Sequence, residues 1–173
     1  MERLMLLLGL DPGLQRTGWG VIYARDNVLS FRACGVVTSD PSDPLAERLD
    51  ALYRGLSEVV HGFAPDAAAV EETVINRNAG SSLKLGQARG VTLLAAAHAG
   101  VPVTEYASKT VKRAVVGTGG AEKRQVAMMV QTLLPGAGSV KGDAADALAV
   151  AICHAHHRTS LAVMLDRSAA TSP

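Results

Sequence analysis

The first 38 residues contain three strand-like runs in succession, and this feature most constrains the fold. Leu4–Leu10 is an apolar run of strand length, and an Asp-Pro-Gly turn at 11–13 ends it. Thr17–Arg25 and Val28–Thr38 are rich in β-branched and aromatic residues, and only two residues at 26–27 separate them. The pattern predicts three antiparallel strands joined by tight turns.

Helical and strand patterns alternate after residue 42. Leucine and valine at helical spacing predict a helix over 43–62, with Asp43 as N-cap and Pro44 at the first helical position. Short strands are predicted at Ala67–Val70 and Val101–Tyr106, and further helices at 81–98, 108–116, 121–134 and 142–156. This order predicts an α/β fold with a mixed sheet, three antiparallel strands followed by parallel strands, flanked by helices.

The length of 173 residues and the 48% hydrophobic content indicate one domain with a sizeable core. We expect this domain to span residues 1–158 and a flexible C-terminal tail to follow at 159–173, where periodicity is weak. The apolar run at 5–10 is too short to cross a bilayer, and the turn after it replaces a signal cleavage site. Because two cysteines make no disulfide framework, we expect a cytoplasmic protein. Because the apolar run is too short to cross a bilayer, we expect no membrane contact.

The net charge of +1 conceals a strong segregation of charge. The span 73–141 carries +7, from nine basic residues and the two acids Glu105 and Glu122, so the rest of the chain carries −6. A basic segment of this kind is typical of polyanion binding, with an ordinary solvated face as the alternative. Its basic residues are Arg77, Lys84, Arg89, Lys109, Lys112, Arg113, Lys123, Arg124 and Lys141.

Acidic residues fall at the ends of predicted elements. Asp11 ends the first strand, Glu71 and Glu72 end the strand that begins at residue 67, and Asp143 and Asp146 open the last helix. The carboxyl ends of adjacent parallel strands lie together, and residues at i and i+3 share one side of a helix. We therefore expect three distant segments to bring carboxylates to one edge of the sheet.

Clustered carboxylates need neutralisation, because unit charges ~4 Å apart repel by about 4 kcal/mol at an effective dielectric of roughly 20. Either their pKa values rise or divalent cations fill the gap, and all-oxygen ligands suit Mg²⁺ and Mn²⁺. Two such ions can activate a water and stabilise the leaving oxygen of a phosphodiester. The alternative for each acid is structural: Asp143 as N-cap, Asp146 as a first-turn acid, and Asp11 as a turn residue.

Five stretches follow one another at a characteristic spacing: GLDPGLQRTGWGVI (9–22), AAAVEETVINRN (67–78), SSLKLGQARGV (81–91), VKRAVVGTGGAEKRQV (111–126) and KGDAADALAVAICHAH (141–156). In this order and spacing they resemble the RuvC family of Holliday junction resolvases. The resemblance implies a ribonuclease-H-like fold, a homodimer and a Mg²⁺-dependent endodeoxyribonuclease that nicks four-way junctions symmetrically, leaving 5′-phosphate and 3′-hydroxyl ends. It also implies the RuvA–RuvB branch-migration complex as a partner.

The resemblance also assigns roles to residues. The family's four catalytic and metal-binding acids fall on Asp11, Glu71, Asp143 and Asp146, with Glu72 as a neighbour. DNA binding is expected of Arg77, Lys84, Arg89, Lys112 and Lys123. Val74 stands where other members carry an aromatic residue that stacks on an unpaired base, and valine offers no π face.

Other functions remain open from the sequence. They are a related nuclease acting on other branched DNA or RNA/DNA hybrids, a non-catalytic junction-binding module, and a nucleotide-binding ATPase with an actin-like phosphate loop at 11–13. A zinc site at Cys153, His154, His156 and His157 is disfavoured because no second pair of ligands matches it. Gly117–Gly120 lacks the ending of a nucleotide-binding phosphate loop.

Overall fold

The structure, a computed structural model, describes residues 3–72 and 77–170, with side chains described as far as residue 160. Its strands are β1 (Met5–Asp11), β2 (Arg16–Arg25), β3 (Val28–Thr38), β4 (Ala67–Glu71) and β5 (Val103–Tyr106). Its helices are α1 (Leu45–Phe63), α2 (Ala79–His98), α3 (Ser108–Val116), α4 (Lys123–Leu133) and α5 (Gly142–Ala170), with a 3₁₀ turn at Pro135–Ala137.

The five strands form one mixed sheet in the order β3-β2-β1-β4-β5. The pairs β1–β2 and β2–β3 are antiparallel, whereas β1–β4 and β4–β5 are parallel. The predicted fold is therefore confirmed: an antiparallel meander continues into parallel strands, and β1 is the central strand of the sheet.

Helices cover both faces of the sheet. One core joins Leu8, Leu10 and Val21 to buried residues of α1 and α2, including Leu56 and Ala95. The other core packs the opposite sheet face against α3, α4 and α5, and α5 contributes an unbroken buried run from Ala147 to Cys153. A central helix buried on all sides explains why this segment is apolar with almost no polar face.

Two glycines allow α5 to lie directly on the sheet. A Cβ at Gly9 would overlap the carbonyl oxygen of Ala147, and a Cβ at Gly18 would overlap that of Asp143. Both strands therefore need glycine where the helix backbone approaches them. This close packing fixes the first turn of α5 over the end of β1.

Two local predictions are wrong. Asp43 does not cap α1, because Pro44 keeps an extended conformation (ψ 149°) and the helix begins at Leu45 without a side-chain cap. The last helix does not end at residue 156 but continues to Ala170.

The tight turn between β2 and β3 is confirmed, with Asp26 in the left-handed region at φ 53°. No helix in the described ranges is both long enough and apolar enough to span a membrane.

Candidate active site

Two of the predicted acids end neighbouring parallel strands. Asp11 is the last residue of β1 and Glu71 is the last residue of β4, and the register pairs Leu10 with Val70 just before them. Parallel pairing places both carboxylates at the same edge of the sheet, where ligands of α/β proteins usually bind. The two side chains line one open cavity of about 230 Å³.

The first two turns of α5 bring two more acids to this edge. Carboxylate oxygens of Asp11, Asp143 and Asp146 all lie within 4.8 Å of one another. Asp146 lines the cavity together with Glu71, whereas Asp143 is not among the lining residues. The structure thus brings all four predicted acids to one edge, and we call Asp11, Glu71, Asp143 and Asp146 the acidic cluster.

The structural alternative for Asp143 is wrong. The helix begins at Gly142, so Asp143 lies within the first turn rather than at the N-cap. Its side chain accepts a hydrogen bond from Nε of Arg16, at 2.7 Å, instead of one from the helix backbone.

Burial and mutual repulsion raise the pKa values of the two strand-end acids. Burial contributes most for Asp11, followed by the charges of Glu71, Asp146 and Asp143, and together they raise its pKa to about 8. Burial also raises the pKa of Glu71, although a hydrogen bond from the Ser108 hydroxyl opposes the shift. A group of acids whose pKa values rise in the absence of a cation is typical of a functional site.

The two helix acids each have a cation beside them. Nζ of Lys123 lies 3.3 Å from Oδ2 of Asp146, and the charge of that carboxylate raises the pKa of the lysine. Arg16 forms the corresponding pair with Asp143. Among the described residues, Asp11 and Glu71 have no such ion pair.

The acidic cluster fits a divalent metal ion. Its donors are all carboxylate oxygens, they come from rigid elements, and three of them already lie within 4.8 Å of one another. Oxygen donors of this kind suit hard cations such as Mg²⁺, Mn²⁺ and Ca²⁺. The cavity beside the cluster leaves one side of it open to a substrate.

The predicted DNA-binding residues lie in different environments. Lys112 of α3 and Lys123 of α4 line the cavity beside the acids. Lys84 is exposed on the first half of α2, and Arg77 is exposed just before that helix. Arg89 is half-buried in an ion pair with Glu105 of β5, which ties α2 to the sheet edge. Val74 lies outside the described residues.

Sequence reasoning missed two residues beside the acids. Ser108 begins α3 two residues after Tyr106, which pairs with Glu71, so the β4–β5 register brings its hydroxyl to Glu71. Arg16 is the first residue of β2, and 127 positions separate it from Asp143. No local pattern marks Arg16, because its position depends on the packing of α5 over the β1–β2 turn.

The remaining candidates have structural contacts. Tyr106 Oη lies 2.9 Å from Nδ1 of His154, and Sγ of Cys153 lies 3.6 Å from Nδ1 of His157. Trp19 packs against the α1–α2 core, with its ring 5.5 Å from that of Phe63. Cys34 packs against the opposite core.

The protein has a five-stranded mixed sheet flanked by helices, and carboxylates lie at the ends of β1 and β4 and at the start of the last helix. This combination defines the class of ribonuclease-H-like nucleases. The model of one protein family, "Crossover junction endodeoxyribonuclease RuvC", matches residues 7–154. The chain belongs to the RuvC family of Holliday junction resolvases, which are crossover junction endodeoxyribonucleases.

Relatives and solved structures agree with this assignment. The RuvC of Paramagnetospirillum magneticum is 62% identical over 154 residues, covering 89% of this chain and 93% of the relative. The RuvC of Brucella suis is 55% identical over 161 residues, covering 93% of each. The structure of Thermus thermophilus RuvC in complex with a Holliday junction substrate superposes with a TM-score of 0.83 at 37% identity, covering 90% of this chain and 96% of that one.

Proposed function

We propose that this chain cuts four-way DNA junctions by a divalent-metal-dependent reaction at the acidic cluster. The nicks are symmetric, in two strands of like polarity, and they leave 5′-phosphate and 3′-hydroxyl ends. The convergence of carboxylates from β1, β4 and α5 on one open cavity is the observation that carries this proposal. The junction as substrate is supported by the family and by the related Thermus thermophilus structure, which holds a Holliday junction.

The bound metal would be Mg²⁺ or Mn²⁺, held by Asp11, Glu71, Asp143 and Asp146, and we propose two ions per active site. When bound, the metal would supply activation of a water and neutralise the charge that develops on the scissile phosphate. Asp11 is the strand-end acid on which the repulsion of all three others acts, so it would be the central metal ligand of the cluster.

The lysines beside the cluster would hold the DNA backbone. Lys112 and Lys123 line the same cavity as Glu71 and Asp146, so a phosphate that enters it meets both charges. Arg77 and Lys84 would extend this basic surface along the start of α2. Phosphate contacts of this kind release counterions, so junction affinity should fall as salt is added.

Arg89 and Val74 complete the proposed DNA contacts. Arg89 is held by Glu105, so it would present only the part of its guanidinium that the ion pair leaves free. Val74 would contact the crossover by apolar packing, in place of the aromatic residue of other family members.

Two copies of the chain would place two sites on one junction, as paired nicks require. The face of α2 around Gly86 and Gly90 supports such a dimer. A Cβ added at either glycine would meet no described atom within 4 Å, and Leu83 and Leu94 are more than half exposed. By family resemblance, the RuvA–RuvB branch-migration complex would deliver the junction.

We also propose a cytoplasmic location, because both cysteines are unpaired. We further propose that the chain divides into a nuclease domain of residues 1–158 and a tail of residues 159–173.

A substrate panel tests the proposal. Purified chain is incubated with duplex DNA, an RNA/DNA hybrid, a fork and a four-way junction, each with Mg²⁺ and with EDTA. We expect cleavage of the four-way junction only, at symmetric positions and only with the metal. Preference for the hybrid or the fork would favour a related nuclease, and binding without cleavage would favour a non-catalytic junction module.

Asp146→Asn identifies the site responsible for cleavage. This variant should bind the junction and fail to cut it, because it keeps the shape of the side chain and loses the anionic ligand. Asp50→Asn, a matched change on the far α1 helix where Asp50 pairs with Arg54, should cut like the wild type. Full cleavage by the Asp146 variant would remove this residue from the catalytic group.

A further inference from the structure

Arg16, the first residue of β2, places a basic side chain at the acidic cluster. Its Nε donates a hydrogen bond of 2.7 Å to Oδ2 of Asp143, and the side chain is 56% exposed. Among the side chains that the structure describes, which extend to residue 160, the guanidinium makes this hydrogen bond and no other. Its Nη groups are therefore available to a further acceptor beside the cluster.

The backbone of Arg16 is fixed by the turn that precedes it. The hydroxyl of Thr17 donates to the carbonyl oxygen of Gly13 at 2.8 Å, and the amide of Ser39 donates to the carbonyl oxygen of Gln15 at 3.0 Å. A Cβ at Gly13 would overlap the carbonyl oxygen of Arg16, so the two ends of the turn are in direct contact. A fixed backbone and a half-exposed side chain allow the guanidinium to move between nearby acceptors without unfolding the turn.

Arg16 and a metal ion compete for the same carboxylate. Asp143 lies with Asp11 and Asp146 in the group that fits a cation, and Arg16 already neutralises one of its oxygens. A fixed positive charge beside a cation site lowers the affinity of that site for a second cation. Once a cation neutralises Asp143, the guanidinium is free for another anion, and its fork geometry suits a phosphate.

We propose that Arg16 is an exchanging counter-ion: it pairs with Asp143 while the cluster lacks metal and transfers to a DNA phosphate when metal and junction are bound. This proposal rests on the proposed function, because it needs a metal at the cluster and DNA in the cavity. It assigns Arg16 two effects of opposite sign, since the residue weakens metal binding in the free protein and strengthens junction binding in the loaded one.

Metal affinity is the first test. Mn²⁺ is titrated calorimetrically into the DNA-free wild type, Arg16→Gln and Arg16→Lys. We expect Arg16→Gln to bind Mn²⁺ about threefold or more tightly than the wild type, because a positive charge is lost, and Arg16→Lys to stay near the wild type. Unchanged or weaker binding by Arg16→Gln would overturn the exchange, since a residue that only positions Asp143 would weaken the site when removed.

Salt dependence is the second test. Junction affinity is measured by fluorescence anisotropy at several salt concentrations, in Ca²⁺ and in EDTA, over times in which the junction stays intact. In Ca²⁺ the slope of log affinity against log salt should fall by about one for Arg16→Gln, and in EDTA it should match the wild type. An equal change in both conditions, or none in either, would overturn the exchange.

Arg54→Gln is the matched control, because Arg54 also pairs through Nε with an aspartate, at 2.9 Å, but on α1 away from the cluster. It should match the wild type in both measurements. A wild type that binds no Mn²⁺ would contradict the proposed function and this inference together. A wild type that binds Mn²⁺ and the junction, with an unaltered Arg16→Gln variant, would contradict this inference alone.

Discussion

Gly18 of β2 and Asp143 of α5 meet so closely that a Cβ on the glycine would overlap the carbonyl oxygen of the aspartate. Gly18 is also the strand partner of Asp11. One glycine therefore fixes the distance between the end of β1 and the first turn of α5, and with it the geometry of the acidic cluster.

Gly18→Ala should displace the start of α5 and weaken both stability and metal binding. Overpacking at a backbone contact costs about 1–3 kcal/mol, so we expect a clear fall in the free energy of unfolding, measured by urea denaturation. Gly62→Ala is the control, since Gly62 lies in α1 and an added Cβ there would meet no described atom within 4 Å. Alanine at this position should stabilise the helix by about 0.5–1 kcal/mol. Equal stability of the Gly18 variant and the wild type would show that the close contact is not required.

Asp11→Asn should stabilise the metal-free protein. The pKa of Asp11 rises from 3.8 to about 8 in the folded state, so the native state keeps a proton that the unfolded chain releases, and stability is lost as pH rises between these values. Asp11→Asn has no carboxylate and so does not lose this stability. Its thermal midpoint in EDTA at pH 8 should therefore exceed that of the wild type by a few degrees. A difference of about 1 kcal/mol in the free energy of unfolding corresponds to about 2–4 °C for a protein of this size.

The difference should narrow towards pH 4 and reverse in Mg²⁺, because only the wild type gains the full stability of metal binding. Thermal melts at several pH values, with and without Mg²⁺, measure both effects. A variant less stable than the wild type in EDTA at pH 8 would contradict the electrostatic interpretation of the cluster.

Glu71→Gln and Glu72→Gln form a matched pair of adjacent substitutions. Glu71 is the half-buried acid at the end of β4, whereas Glu72 is exposed, although it also borders the cavity. We expect Glu71→Gln to reduce junction cleavage by about 100-fold or more, as removal of a charge-stabilising group at an active site does, and Glu72→Gln to stay within a few-fold of the wild type. The measurement is the single-turnover rate of junction cleavage. Similar losses of rate in both variants would contradict the assignment of Glu71, rather than Glu72, to the acidic cluster.

The Tyr106–His154 pair predicts a loss of stability in mild acid. Burial lowers the pKa of His154 to about 4, with further contributions from the charges of Arg158 and His157. The unfolded chain takes up a proton near the ordinary value of 6.5 and the native state does not, so stability falls as pH decreases from about 6.5 towards 4. Urea denaturation of the wild type and His154→Gln should give parallel curves above pH 7, with a steeper decline of the wild type below pH 6.5; equal slopes in acid would contradict this prediction.

The sequence allowed the sheet and the acidic cluster to be predicted, because both follow from local signals. Strand-length apolar runs and the turns at 11–13 and 26–27 specify the meander, and an acid at the end of each of two parallel strands specifies the shared edge. Asp143 and Asp146 follow from helical spacing.

Tertiary packing accounts for what the sequence did not reveal. The pairing of Arg16 with Asp143 depends on the exact crossing of α5 over β2, and the Ser108 contact depends on the β4–β5 register. The ion pair of Arg89 with Glu105 likewise joins two elements whose relative position no local pattern encodes. The N-cap of α1 was mispredicted because Pro44 adopts the extended conformation, so the helix starts one residue later.

Anomalous diffraction from crystals of the wild-type chain soaked in MnCl₂ tests the central claim most directly. We predict a manganese peak bonded to carboxylate oxygens of Asp11, Asp143 and Asp146, at the roughly 2.0–2.6 Å typical of hard cations with oxygen ligands. If the protein cuts junctions in Mn²⁺ but its crystals show no manganese at these three carboxylates, the claim that the acidic cluster holds the metal is contradicted.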